Sequence, residues 1–190
     1  MGYDHWLEIA GDRLLPGFPG AGGDIKEDVL HAQFGSDKHQ GTIFGERDGR
    51  VSERIKDLAK IFEAVDLQYE IQKNMLAFHI SHTALAIVNK HFYTEDGMVD
   101  VETARSESIL CKIAADIKEN IQLVKRAGIP VIPPETKAMG ELSENDIISR
   151  YRQMLSNDFI IDVKLGSHAN SQKAEIMLLE DRFHQLISTR

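Results

Sequence analysis

The chain has 190 residues, 42% of them hydrophobic, which suits one large domain or two small ones burying roughly 70% of the surface an unfolded chain exposes. A formal net charge of −8, with no local run of lysine and arginine, argues against a nucleic-acid partner, because phosphate recognition needs a concentrated basic face. The single cysteine, Cys111, leaves no intrachain disulfide and suits a reducing cytoplasm.

Residues 1–10 carry Asp4, His5 and Glu8 where a signal peptide has its apolar core. No apolar run reaches the roughly 20 residues of a membrane span. A cytoplasmic protein without a membrane partner is therefore expected. The first fifty residues are dense in glycine and lack helical periodicity. Three short strands are predicted there, Arg13–Phe18, Val29–Phe34 and Thr42–Glu46, with PGFPGAGGD as the loop between the first two. Three short strands need a helix or another sheet to cover one face.

From Val51 the pattern turns helical. Ser52 is an N-cap candidate, followed by Ile55, Leu58, Phe62 and Val65 at helical spacing. A short extended piece, Leu67–Ile71, leads into KNMLAFHISHTALAIVNK, Lys73 to Lys90. The sixteen residues between those two lysines carry no formal charge. A helix apolar almost all round is one buried on several sides, so this segment is the expected post of the fold. HFYTEDGMVD is a loop closed by Asp100, a second N-cap candidate.

A long helix is predicted from Val101 to Arg126, with Leu110, Ala114, Ile117, Ile121 and Val124 as its core stripe. Gly128 and Pro130 end it. Cys111 reads as inert packing within its apolar run, and Asp116 and Glu119, with Lys112 and Lys118, as a solvated, salt-bridged face. VIPPET is extended because proline restricts its own backbone and that of its predecessor. Ser143 caps a helix through Leu155. A last helix starts near His168 or Asn170 and runs to Ile187, with Ile176, Leu179, Phe183 and Leu186 as its stripe.

The order of these pieces resembles a known family. LLPGFPGAGG, GTIFGERDGRVSERI, the buried helix with its histidines, VKRAGIPVIPP and HANSQKAEIMLLEDRF resemble the ketopantoate reductases over nearly the whole chain. The resemblance implies an NADPH-binding Rossmann domain followed by an all-helical C-terminal domain, with the active site in the cleft between them. On that expectation residues 1–49 are a β-rich remnant of the nucleotide-binding domain and residues 50–190 are the helical domain. The fold class is mainly α, a helical bundle-like domain preceded by about three strands. The glycines of Gly17–Gly23 do not fit G-x-G-x-x-G and precede no helical pattern, so no NADP binding is expected for this chain alone.

The family reduces a 2-keto acid by hydride transfer. The carbonyl oxygen gains negative charge as hydride arrives, and a positioned lysine stabilises and protonates it. The resemblance implies a lysine at the start of the central helix, asparagines on the following turns and a glutamate on the last helix. Glu175 falls at the glutamate position, on a polar strip with His168, Ser171 and Gln172. Alignment on the apolar core and His79 places Ala77, Ser81 and Leu85 at the lysine and asparagine positions. A shifted register gives Lys73 the lysine role; the other reading of Lys73 is a solvated flanking residue.

His79 and His82 form an i, i+3 pair, which reads as a metal-binding spacing, as satisfied core groups or as cleft-lining donors. No metal site is expected from two histidines alone. The candidate site is therefore catalytic Lys73 and Glu175, with substrate-binding His79, Ser81, His82 and His168. The expected outcome is a ketopantoate-reductase-like protein inactive alone. A non-catalytic homodimer or a binding protein for a small 2-keto acid stand beside it.

Overall fold

In the computed structural model, which describes residues 3–34, 41–157, 161, 165 and 172–189, the first fifty residues hold more order than their glycine content suggests. Helix α1 (Asp4–Ala10) opens the chain and passes through a 3-10 turn at Gly11–Arg13. The predicted first strand shortens to β1 (Gly17–Phe18), and the glycine-rich stretch expected as a loop enters β2 (Ala21–Lys26). That strand pairs antiparallel with β3 (Val29–Phe34), from Ala21 opposite Phe34 to Lys26 opposite Val29. Glu27 and Asp28 turn the hairpin with φ of 51° and 62°. Positive φ at both central residues is the two-residue turn whose twist matches a hairpin.

The chain divides into two compact units, Gly2–His79 and Ile80–Arg190. In the first, β1 lies antiparallel to β4 (Thr42–Phe44), and β4 lies parallel to β5 (Tyr69–Ile71). Parallel neighbours need a crossover, and α2 (Glu53–Ala64) supplies it. Ser52 caps α2 as predicted, its hydroxyl accepting from the Ile55 amide. Phe44, Ile55 and Ala59 form the core beneath, with Leu15, Leu58, Phe62, Tyr69 and Ile71 packed around them. This is the covering helix that short strands require. Val65, predicted on the same stripe, is instead 59% exposed, because α2 has already ended at Ala64. Gly49 sits at φ 77°, and a β-carbon there would come within 2.6 Å of the Lys73 carbonyl oxygen, so two backbone segments meet where a side chain has no room.

The apolar run forms α3 (Met75–Ala86) and continues as a 3-10 turn at Ile87–Phe92. Asn74 caps it, its Oδ1 accepting from the Ala77 amide at 3.0 Å. Met75, Ala77, Phe78, Ile80, Ser81, Thr83, Ala84, Ile87 and Val88 are all buried. The uncharged sequence and the burial agree: this helix has no face suited to water.

In the second unit the loop after the 3-10 turn closes a small antiparallel pair, β6 (Tyr93–Thr94) and β7 (Gly97–Met98). The predicted long helix is two: α4 (Val101–Ala104) and α5 (Glu107–Arg126). Ser106 breaks it by capping α5, its hydroxyl accepting from the Ile109 amide, which a serine does better than it continues a helix. Leu110, Ile113, Ala114, Ile117 and Ile121 face Val88, Phe92, Ile147, Ile148, Tyr151 and Leu155 in the main core. Gly128, at φ 70°, ends α5 as predicted, its amide donating to the Lys125 carbonyl.

Pro133 and Pro134 open α6 (Pro134–Glu141) where an extended segment was expected to continue; the Ile132–Pro133 bond is cis. Proline at the first helical position is compatible with a helix start, since that amide has no partner there anyway. Helix α7 (Glu144–Met154), capped by Ser143, and α8 (Lys173–Ser188) complete the unit. Ile176 and Phe183 of α8 are buried, while Leu179 and Leu186 are partly so. Among the described residues no helix is long and apolar enough to cross a membrane.

Candidate functional site

Each residue singled out in the sequence has a definite place. Lys73 lies in the bend ahead of α3, exposed and outside the helix. His79 is held at both ring nitrogens. The Gly17 carbonyl, which only accepts, lies 3.2 Å from Nε2, so Nε2 carries the proton; Nδ1 then accepts from the Tyr3 hydroxyl at 3.0 Å. Burial lowers the His79 pKa and pushes that of Tyr3 up to about 12. Both groups are neutral near pH 7. His79 is a structural pin for the segment that carries α1.

Ser81 is fully buried. Its hydroxyl donates to the Pro130 carbonyl at 3.4 Å and accepts from the Ile132 amide at 3.1 Å, fastening the proline segment to α3. Its one donor is used and the side chain is closed off from solvent. Glu175 is exposed on the first turn of α8, where its charge adds to burial in raising the Tyr93 pKa. His168 lies outside the described residues. Among the described candidates, His82 lines an open groove.

That site is a groove of about 280 Å³ in the second unit, lined by His82, Leu85, Ala86, Asn89, Met139, Arg150, Tyr151 and Met154. Its wall follows from spacing. Residues 82, 85, 86 and 89 stand at i, i+3, i+4 and i+7 along α3 and its 3-10 continuation, one stripe of a helix. Arg150, Tyr151 and Met154 face it from α7, and Met139 from α6. Leu85, Ala86 and the two methionines make it apolar, and His82, Asn89 and Arg150 add polar groups. Arg150 is exposed and makes no hydrogen bond or ion pair among the described residues. A volume near 280 Å³ is at the small end of ligand pockets. Chemically, the arrangement offers a permanent cation beside an apolar wall.

A second cluster escaped the sequence reading. Lys90 Nζ lies 2.8 Å from Asp116 and 2.6 Å from Glu180, and His91 Nε2 lies 2.9 Å from Asp116. Asp116, expected on a solvated face, is only 25% exposed at its side chain, where the 3-10 turn packs on α5 and α8 packs on that same turn. Burial alone would lower the Lys90 pKa, but hydrogen bonds to the two carboxylates raise it; burial opposes the ionised Asp116, yet Lys90 and His91 hold its pKa down. The signal available was that a lysine and a histidine follow an uncharged run, where cations near a core need counter-charges. Lys118, assigned to the same face, donates to the Leu142 carbonyl at 2.7 Å. Cys111, expected in the packing, is exposed, with its Sγ 3.7 Å from Glu107 Oε1. It falls between the buried positions Leu110 and Ile113, off the stripe that includes Ala114.

In the first unit a polar cavity of about 370 Å³ is lined by Asp12, Leu14, Glu46, Arg47, Asp48, Arg50 and Arg54. Its floor is self-satisfied. Arg54 donates to Glu46 through Nε and Nη2, and to the Asp12 and Leu14 carbonyls through Nη1 and Nη2. Among the described residues no group of three or more histidine, cysteine, aspartate or glutamate side chains is arranged to hold a metal. No family model, curated protein or solved structure matches the chain.

Proposed function

We propose that the chain is a ketopantoate-reductase-like protein that holds a small 2-keto acid in the groove between α3, α6 and α7 without reducing it. The observation that carries this reading is Arg150, a guanidinium with no partner among the described residues, beside an apolar groove of small-ligand size. A carboxylate paired with that guanidinium places its carbon chain against Leu85, Ala86, Met139 and Met154. Two features support binding without turnover. Ser81, the counterpart of a substrate-binding asparagine, is committed to the Pro130–Ile132 segment, and Lys73 stands in an exposed bend. The glycines Gly22 and Gly23 belong to β2, which runs on into β3 rather than to a helix N-terminus that would receive a pyrophosphate. The reading accordingly includes no NADP bound in the manner of the family.

Calorimetric titration with 2-oxoisovalerate tests the reading, together with Arg150→Met and an NADPH-consumption assay. The expected result is binding that weakens about tenfold or more in R150M, the worth of a hydrogen-bonded charge pair. No NADPH is consumed. Equal affinity in R150M would remove the groove from the account, and turnover would remove the claim of catalytic silence.

A homodimer built on the first unit is the second reading. Trp6 and Ile9 of α1 and Ile61 of α2 are 58%, 60% and 60% exposed, large apolar side chains that a partner copy could cover. Sedimentation velocity at micromolar concentration decides it; a monomer rules it out.

A further inference from the structure

Tyr151 belongs to α7, is 6% exposed and lines the same groove as Arg150. Its hydroxyl makes no hydrogen bond among the described residues, and burial is the sole cause acting on its pKa, which is pushed far up. Buried tyrosine hydroxyls normally find a partner, because an orphaned one loses its hydration without replacement. Yet among the described residues no fully buried side-chain oxygen or nitrogen is left without a partner. Both statements hold together only if the Tyr151 oxygen retains some open surface. Tyr151 lines the groove, an open space to which that oxygen has access on this reading.

We infer that Tyr151 is a specificity-determining residue of the acid site: its hydroxyl pairs with an oxygen on the ligand's carbon chain, so the groove selects oxygenated short-chain acids over plain alkyl acids of the same shape. This rests on the acid-binding reading and adds a second anchor to it. Arg150 is the immediate chain neighbour of Tyr151, about 100° away around α7, so the two polar groups address different parts of one ligand. The hydroxyl stays protonated throughout the physiological range and donates to an oxo group, or accepts from a hydroxyl. Removing it should not weaken the affinity for an unsubstituted acid and should raise it by whatever the dry hydroxyl costs. A site built to hydrogen-bond a ligand oxygen discriminates against the analogue lacking it, because its own polar group is then left dry.

The experiment compares isovalerate, 2-oxoisovalerate and 2-hydroxyisovalerate as ligands of the full chain and of Tyr151→Phe, by calorimetry, with thermal melts of both proteins without ligand. The expected result is an about five- to tenfold preference of the wild type for the two oxygenated acids. In Y151F that preference disappears while isovalerate binds as well as to the wild type or more tightly, and the melt does not move down. Persistence of the preference in Y151F overturns the inference, as does a wild type that binds all three acids equally; both leave the acid site itself standing. A clearly lowered melting temperature in Y151F also overturns it, since the hydroxyl then has a structural partner. Failure of the wild type to bind any of the three overturns the acid-binding reading and this inference with it.

Discussion

The ion pair Glu46–Arg54 should be the most sensitive electrostatic element of the first unit. Glu46 follows β4 and its side chain is 6% exposed, whereas that of Arg54, on the first turns of α2, is 40% exposed. The carboxylate accepts from Arg54 Nε at 2.7 Å, Arg54 Nη2 at 2.5 Å and Ser52 Oγ at 2.5 Å. The bidentate guanidinium is the main cause, and the serine a further one, that takes the Glu46 pKa from 4.5 down to about 2 against the opposing effect of burial. At about 1.4 kcal/mol per pH unit that displacement is worth about 3 kcal/mol, and solvent around the half-exposed guanidinium screens it to about 2 kcal/mol.

Arg54→Met removes the cation and keeps much of the stem. It also leaves the Asp12 and Leu14 carbonyls without their donor. A loss of about 2–4 kcal/mol at pH 7 is expected, since the remaining carboxylate is nearly buried. The pH dependence is the sharper test. Glu46 is depressed in the folded state, so its contribution is fully present above 4.5 and disappears as pH falls toward 2. Urea denaturation of wild type and R54M, followed by circular dichroism at several pH values, should therefore show the gap between them closing over that window. Glu46→Gln should flatten the wild-type profile there. A gap that is the same at pH 7 and pH 3 would refute the electrostatic account and leave only lost packing.

Two further outcomes are expected. Ser81→Ala should destabilise the second unit by about 1–3 kcal/mol by leaving the Ile132 amide unpaired, and hydrogen exchange at Ile132 should accelerate; unchanged exchange would mean the amide has another acceptor. His79 has its pKa lowered by burial, so its contribution is present above about 6.5 and is lost as pH falls below that value. The urea midpoint should drop as pH falls below 6.5 in the wild type and much less in His79→Gln, with an NMR titration midpoint for His79 below 6.5; a midpoint above it would contradict the neutral, doubly bonded ring.

Local physics made part of this architecture readable. The absence of charge from Asn74 to Asn89 announced the burial of α3, and Ser52, Asp100 and Ser143 announced helix starts because short oxygen-bearing side chains satisfy the first amides. The stripe of α5 was equally plain. What was not readable depends on residues distant in the chain. Helix α1 buries none of its residues, so it leaves no apolar period to detect, and its neighbourhood is fixed by the Tyr3–His79 bond. Asp116 looks solvated on α5 alone; only α8 and the 3-10 turn make it a partner of Lys90. Cys111 erred in the other direction: an apolar neighbourhood in sequence is not a face in space, and residue 111 turns outward between Leu110 and Ile113.

The polar groups of α3 and its continuation divide by what they hold. His79 and Ser81 spend their hydrogen-bonding capacity inside the fold, on Gly17 and Tyr3 and on Pro130 and Ile132. Lys90 and His91, in the 3-10 continuation, spend theirs on Asp116 and Glu180. His82 and Asn89, which have partners of their own, stand between these two sets on the stripe that lines the groove. On the proposed acid-binding reading the groups that meet a ligand are Arg150 and Tyr151, which come from α7, a segment outside the central and last helices to which the family resemblance points.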